Sequence, residues 1–503
     1  MFELTQRIEE LKSEFKDNDS LKVRRFFALN KEFALLYLES FADFDVISKD
    51  IVAPIMQEDE KSENGLSKKI ILTPNKQSEN NSDYFVDFVA NKILFACEIS
   101  KSSNFDDFIN KLSRGEKVLL VDGCENAILI NSKKIEKRAI IEPPNNNIVR
   151  GPREGFIEDI NSNLNLLRKR LVTNDLKIDT MEVGRFTKSK VAICYLTKIA
   201  DRKVVKEIKK RISKIDIDGI SDSYYLQDFL EEKPTSLFKQ IGWTEKPDIL
   251  TAKMLEGRVG ILVDGSPIAL TVPFILIEDL QSSNDYYEEN TSMSFVRILR
   301  FFGLFIALTM PGIYIALQLY HYKALPLKFL VTIINSSQNI PMPPAIEVLF
   351  AFFMFEILYE ASVRTPKSLG SSFNIIGALI LGDTAVKSNL ASAPTIMIVA
   401  LSSIAIYLIP EGTNVMRLLR ILITLMATII GVVGICLSLV FIVAYLSDFD
   451  SYGADYLSPL APYQKNDFKD GFYRANFKNL KTRPISIKQK NFVRQGKKND
   501  GEN

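Results

Sequence analysis

The side chains that could do chemistry in this chain are few, and the most suggestive lie in apolar sequence. Its one histidine, His321, closes an apolar run, which leaves no material for histidine-based acid–base work or a histidine metal site. Cys97, Cys124, Cys194 and Cys436 lie far apart without CxxC spacing, the pattern of free, buried thiols in a reducing compartment. No GxxxxGK[ST] loop and no GxGxxG after a strand is present. The chain is therefore read as a non-enzyme with no catalytic residue, metal or cofactor. What remains are charges in apolar surroundings. Glu356 and Glu360 are four residues apart, as are Asp383 and Lys387, so each pair shares a helix face. Charged side chains at membrane depth are expensive and face protein or water, which makes these four residues candidates for an intramembrane polar site. The alternative is that both segments lie at the membrane interface with their charges among headgroups.

The elements that must position these residues divide the chain sharply. Residues 292–447 carry only 9 Lys/Arg and 5 Asp/Glu, against 43 and 49 in residues 1–291. The stretch 448–503 is basic, with 11 Lys/Arg against 7 Asp/Glu. The soluble part lacks the basic excess that nucleic-acid binding needs, so no nucleic-acid partner is expected. "MFELTQRIEELKSEFKDND" has no apolar core of a secretory signal, which predicts that the soluble region stays in the cytoplasm.

Five organisational blocks follow. Residues 1–60 read as amphipathic helices, since Leu4, Ile8, Leu11 and Phe15 recur at three- and four-residue steps. Two α/β subdomains are expected at 61–145 and 146–290, because "GEKVLLVDGCENAILI" (115–130) resembles "GRVGILVDGSPIALTV" (257–272). Asp-Gly between apolar runs, here Asp264-Gly265, signals a hairpin whose turn needs positive φ. A helix-like segment precedes each hairpin. Strands at 190–199 and 214–220 around a helix at 203–214 suggest a βαβ unit. Between the subdomains, Arg150-Gly151-Pro152-Arg153 forms a rigid cationic loop, read as a subdomain or subunit interface through Arg150 and Arg153. A transmembrane domain is expected at 291–447 and a basic cytosolic tail at 448–503.

Within the apolar region, Phe301–Tyr320 is long enough to span, and Pro311 inside it frees a carbonyl that must find another partner. Ile421–Leu446 reads as one tilted span of uncharged residues, and Pro394–Pro410 as a shorter one. The segments 345–361 and 371–390 carry the charges named above. Arg297 and Arg300 before the first span and the basic tail place both ends in the cytoplasm, so the number of crossings is even. About four spans result, with 371–390 as the re-entrant or interfacial piece. Arg417 and Arg420 then face outward, against the positive-inside rule.

Several long motifs in order, "IIEPPNNNIVRGPREGFIEDINSNLNLLRKR", "EGRVGILVDGSPIALTVP" with "QSSNDYY", "PPAIEVLFAFFMFEILYEASVRTP" and "YLSPLAPYQKNDFKDGFYRA", resemble the A subunits of bacterial spore germinant receptors, the GerA family. The resemblance runs from about residue 45 to 485. It implies an inner-spore-membrane protein with two cytosolic α/β subdomains and an all-α membrane domain. It also implies a complex with a transporter-like, nutrient-binding B subunit and a lipoprotein C subunit, and a homo-oligomer of A subunits around a pore that releases monovalent cations. The alternative is a non-conducting scaffold that transmits the partner's signal. "QSSNDYY" is more polar than the family's usual version, and the tail is a lysine-rich extension. Asp264, Gly265, Tyr286 and Tyr287 are candidates for the joint between the cytosolic region and the first span.

Overall fold

In the computed structural model the described residues are 4–15, 18–42, 44–63, 81–95, 98–131, 150–364 and 379–495. The chain forms two compact units. The first comprises Met1–Pro234, Ile241–Pro273 and Ile487–Phe492; the second comprises Thr235–Gln240, Phe274–Ser486 and Val493–Asn503.

The first unit is built from one design used twice. Helix α1 (Leu4–Glu14) precedes a strand pair, β1 (Leu21–Ala28) and β2 (Lys31–Leu38). A helical insertion and β3 (Ile99–Ser102) follow, then α2 (Phe105–Ser113) and the hairpin β4 (Lys117–Val121) and β5 (Ala127–Ile130). The second copy repeats this with α3 (Ile160–Arg170), β6 (Leu176–Val183), β7 (Ser189–Leu196), α4 (Arg202–Ile212), β8 (Gly242–Thr244), α5 (Pro247–Leu255), β9 (Val259–Val263) and β10 (Ala269–Val272). The strand orders correspond position for position, β1-β2-β4-β5-β3 and β6-β7-β9-β10-β8. Both Asp-Gly hairpins form, and Gly115, Gly123, Gly257 and Gly265 all adopt positive φ. The α/β class and the duplicated hairpin unit are as the sequence suggested.

Three expectations for this unit are corrected. Residues 1–60 are not helices throughout: α1 forms, but 21–38 is an antiparallel hairpin turning at Leu29-Asn30, both at positive φ. The first copy thus begins at α1 rather than at residue 61. The strand period was hidden because β2 is an inner strand covered on both faces. Its Phe33 and Leu35 pack with Ile47, Ile51 and Val86, and its Ala34 and Leu36 with Leu4, Ile8 and Leu11. Residues 214–220 form no strand, and both sheets are antiparallel, so there is no βαβ unit among the described residues. Finally, the C-terminal stretch is not merely a tail. Gln489 bridges to Ala200, and Lys490 N–H donates to Ile199 O at 2.9 Å. Gly257, at φ +111°, leaves room there, since a Cβ would come within 3.0 Å of Gln489.

The second unit is mostly helical: α6 (Asn290–Leu319), α7 (Leu327–Ser337), α8 (Pro344–Arg364), α9 (Ala393–Ile406), α10 (Thr413–Ile430) and α11 (Val432–Ser447). Among the described residues, α6 and α10 are long and apolar enough to cross a membrane; α7, α9 and α11 are shorter apolar helices. The expected single span 421–446 is overturned. The chain breaks at Gly431, whose φ +67° and ψ −143° suit only glycine, and whose Cβ position lies 3.0 Å from the Tyr320 ring. A run without charges gives no sign of such a turn except the glycine itself.

The direction of each helix follows from its contacts. At the near end, α6 starts beside Asp285, and α10 starts where Gly412 abuts Asp279. At the far end, Tyr320 O–H donates to the carbonyls of Thr428 and Ile429 at 2.8 and 2.9 Å. Glu347 on the first turn of α8 meets Ser392 just before α9, so α8 and α9 run the same way. Of the 371–390 stretch, 379–387 is helical, and 371–378 lies outside the described residues. Arg417 and Arg420 fall at the near end with Arg297 and Arg300, not opposite them, because α10 starts at that end, where Gly412 abuts Asp279.

Candidate functional site: the polar residues of the helical unit

Pro311 is the simplest case of sequence dictating a contact. Pro311 has no N–H to offer the carbonyl one turn earlier, that of Ala307. Ser402 Oγ of α9 donates to Ala307 O at 2.9 Å, which fills the vacancy from outside the helix. The same hydroxyl accepts from Arg420 Nη1 at 3.3 Å.

Around Arg420 polar side chains of three helices converge, the charged ones from α8 and α10. Arg420 is 2 % exposed; its Nη1 also donates to Ser403 Oγ at 2.9 Å, and its guanidinium lies 4.4 Å from the Phe352 ring centroid. Its Nε has no hydrogen-bond partner. One turn earlier, Arg417 Nη1 donates to Glu356 at 2.5 Å, and its guanidinium stacks 4.0 Å from Tyr359. These residues line a cleft of about 600 Å³ together with Tyr407 and apolar Ile396, Ala400 and Ile404.

The remaining predicted charges are paired locally and more exposed. Glu360 accepts from Arg364 Nε at 2.7 Å, and Asp383 accepts from Lys387 Nζ at 2.6 Å. The structure brings Glu356 and Arg417 together but does not join Glu360, Asp383 and Lys387 into one cluster with them. Sequence reasoning passed over Glu347. It is 1 % exposed and accepts from both the N–H and the Oγ of Ser392, at 2.6 and 2.7 Å. Its place just after Pro343-Pro344, on the first turn of α8, was the available signal.

At the near end, "QSSNDYY" ties the start of α6 to the C-terminal segment. Asp285 is fully buried and accepts from Arg297 Nε and from Arg300 Nη1 and Nη2, each at 2.8 Å. Burial alone would raise the Asp285 carboxyl; the Arg300 hydrogen bonds and the charges of Arg297 and Arg300 outweigh it and hold it below the usual carboxylate range. Arg297 also donates to Asp470 at 3.1 Å. Tyr286 O–H donates to the same carboxylate at 3.1 Å, under the guanidinium groups of Arg297 and Arg474. Tyr286 therefore packs on the 470–477 segment. Asp264 and Gly265 belong to the other unit, where Asp264 Oδ1 accepts from Ile160 N–H at 3.3 Å and Gly265 N–H donates to Glu158 O at 2.8 Å.

In the first unit Arg150 and Arg153 are exposed on the loop before α3. Arg168 of α3 is buried instead, and its Nη2 reaches Ser20 Oγ of the first copy. Burial pushes its guanidinium down to about 10, and burial likewise pushes the Cys194 thiol up to about 12. Among the described residues, no cluster of His, Cys, Asp and Glu has the geometry to hold a metal ion.

Residues 9–486 match the GerA family, described as Bacillus/Clostridium GerA spore germination protein. The chain is 31 % identical to spore germination protein KA of Bacillus subtilis, over 98 % of this chain and 88 % of that one. It is 37 % identical to the uncharacterized membrane protein YfkQ of Bacillus subtilis, over 77 % and 76 %, and 32 % identical to spore germination protein GerLA of Bacillus cereus, over 84 % and 86 %. The crystal structure of the N-terminal domain of the A subunit of the Bacillus megaterium spore germinant receptor GerK3 aligns at 26 % identity and TM-score 0.39, over 54 % of this chain and 96 % of that one. With the match spanning both the duplicated sheets and the apolar helices, the chain belongs to the GerA family of spore germination proteins.

Proposed function

We propose that this chain is the A subunit of a nutrient germinant receptor and that it acts in germination as one subunit of an oligomeric, nutrient-gated channel for monovalent cations. The role in germination follows from the family; the channel is our reading. One observation supports it above the others. Asp383 and Lys387 are more than half exposed beside exposed Leu379, Ile380 and Leu381, and Glu360 and Arg364 are exposed likewise. Charges on an apolar helical surface are costly against lipid and need water or protein over them. A ring of A subunits around an aqueous path supplies both. In this reading the helical unit lies in the inner spore membrane with its near end and both chain termini on the cytoplasmic side. A transporter-like B subunit binds the nutrient, a lipoprotein C subunit completes the complex, and the Asp285 knot couples their signal to α6. No enzymatic activity is assigned, and the relatives are named as germination or membrane proteins.

The second reading, a non-conducting scaffold, is favoured by the pairing of Glu356, Glu360 and Asp383 with a base each, which leaves no bare acidic ring among them. Purified full-length protein in a planar bilayer separates the two. The channel reading expects cation-selective unitary currents that change in Asp383→Asn; silence of correctly assembled oligomers, with the partner subunits and nutrient present, leaves the scaffold.

A further inference from the structure

The cleft between α8, α9 and α10 has a charge imbalance that the fold itself does not resolve. Two guanidinium groups enter it and one carboxylate, that of Glu356, which is already engaged by Arg417. Arg420 hydrogen-bonds only to neutral hydroxyls and lies over the face of Phe352; the Glu356 charge reaches it through space but is bonded to Arg417, and the Arg420 Nε is buried without an acceptor. A buried cation in that state is expensive unless an anion reaches it. The rest of the lining asks for something apolar: Ile396, Ala400 and Ile404 form one wall. The volume, about 600 Å³, lies in the range of sites that enclose small ligands, roughly 300–1,000 Å³.

The position of the cations narrows the occupant. Arg417 and Arg420 lie four and seven residues into α10, so about 6 and 10 Å along its axis from the near end. Tyr359 and Tyr407 stand beside them, the residues that favour the boundary between headgroups and acyl chains. Basic pockets between membrane helices hold anionic headgroups. We infer that this cleft is a binding site for an anionic phospholipid, its phosphate taken by Arg420 and Arg417 and the first part of an acyl chain lying on Ile396, Ala400 and Ile404. Glu356 competes with the phosphate for Arg417 and so sets the affinity. The inference holds whether the chain conducts or not.

The test uses the purified full chain in nanodiscs of equal phosphatidylglycerol and phosphatidylcholine, with native mass spectrometry of the lipids it retains. Wild type should retain phosphatidylglycerol about tenfold or more over the bulk ratio. The R417Q/R420Q variant should fall to the bulk ratio. Because that variant removes one buried and one half-buried guanidinium and can misfold, Ile404→Trp provides the second arm: it fills the cleft without touching a charge and should also abolish the preference. Glu356→Gln should strengthen it. A bulk ratio in wild type, or an undiminished preference in both R417Q/R420Q and Ile404→Trp, overturns the inference. So does complete displacement by millimolar inorganic phosphate, which would mark a free-anion site, or a changed subunit count with unchanged lipid retention, which would mark a surface between copies.

Discussion

Asp285→Asn should loosen the near end of the helical unit far more than its size suggests. The carboxylate is fully buried and takes three hydrogen bonds from two guanidinium groups, one of them on a residue that is itself 1 % exposed. With Asp470 the knot holds two cations and two anions; the variant leaves two cations and one anion in the same space. Breaking a buried pair by removing one partner costs about 3–5 kcal/mol, because the orphaned charge stays desolvated. At 1.4 kcal/mol per decade, that is a rise of roughly two to three and a half orders of magnitude in local opening. Hydrogen exchange of the full chain in detergent reads this directly. Amides of Leu280–Arg300 and of Asp470–Arg474 should exchange faster together, since Arg297 and Tyr286 link both to the knot, while β4, β5, β9 and β10 keep their protection. The carboxyl is depressed in the folded state, so its contribution is complete above the ordinary carboxylate range, near 4, and is lost as pH falls through the folded value. Wild type should therefore approach the variant's exchange in acid, and the variant should lack that acid-dependent step. Unchanged exchange at Asp470–Arg474 in Asp285→Asn would refute the reasoning.

Other perturbations reach different parts of the molecule. Ser402→Ala leaves the Ala307 carboxamide oxygen without its acceptor role filled and should cost about 1–3 kcal/mol in thermal denaturation of the helical unit. Ser402→Thr, which keeps the hydroxyl, should recover part of that loss. Gly431→Ala places a Cβ at a backbone conformation with φ +67° and against Tyr320, at a cost of about 1–3 kcal/mol or more, read as a lower midpoint in the same assay. Burial and a thiol raised to about 12 should keep Cys194 unlabelled by iodoacetamide at pH 8 in the native protein, whereas exposed Cys436 is labelled in detergent; peptide mapping after unfolding should show Cys194 modified.

What the sequence disclosed was whatever has a local cause. The Asp-Gly hairpins, the helix before each, and the need of Ala307 for a partner opposite Pro311 are all dictated within a few residues. The duplication could be seen at its hairpins but not at its start, because β2 is buried on both faces and shows no alternation of apolar and polar residues. The break at Gly431 stayed hidden for a related reason: in an apolar run neither charge nor periodicity changes where the chain turns. Of the charges singled out by spacing, Asp383 and Lys387 do share a helix face and pair, as four-residue spacing requires. Glu356 instead pairs across helices with Arg417, and Arg420 is neutralised by no residue of its own helix. Such contacts depend on which helices become neighbours, a matter of non-local packing.

Ser402 does more than replace the bond that Pro311 removes. Its single proton goes to the carbonyl freed by Pro311, and its lone pair takes one of the protons of Arg420. The carbonyl freed by Pro311 and the cation of α10 are thereby two ends of one polarised chain, in which each hydrogen bond strengthens the next. An anion that drew Arg420 into the cleft would take away the polarising partner of Ser402 and so weaken its bond to Ala307. The first apolar helix is in this sense electrically joined to what lies between its neighbours, through one hydroxyl group.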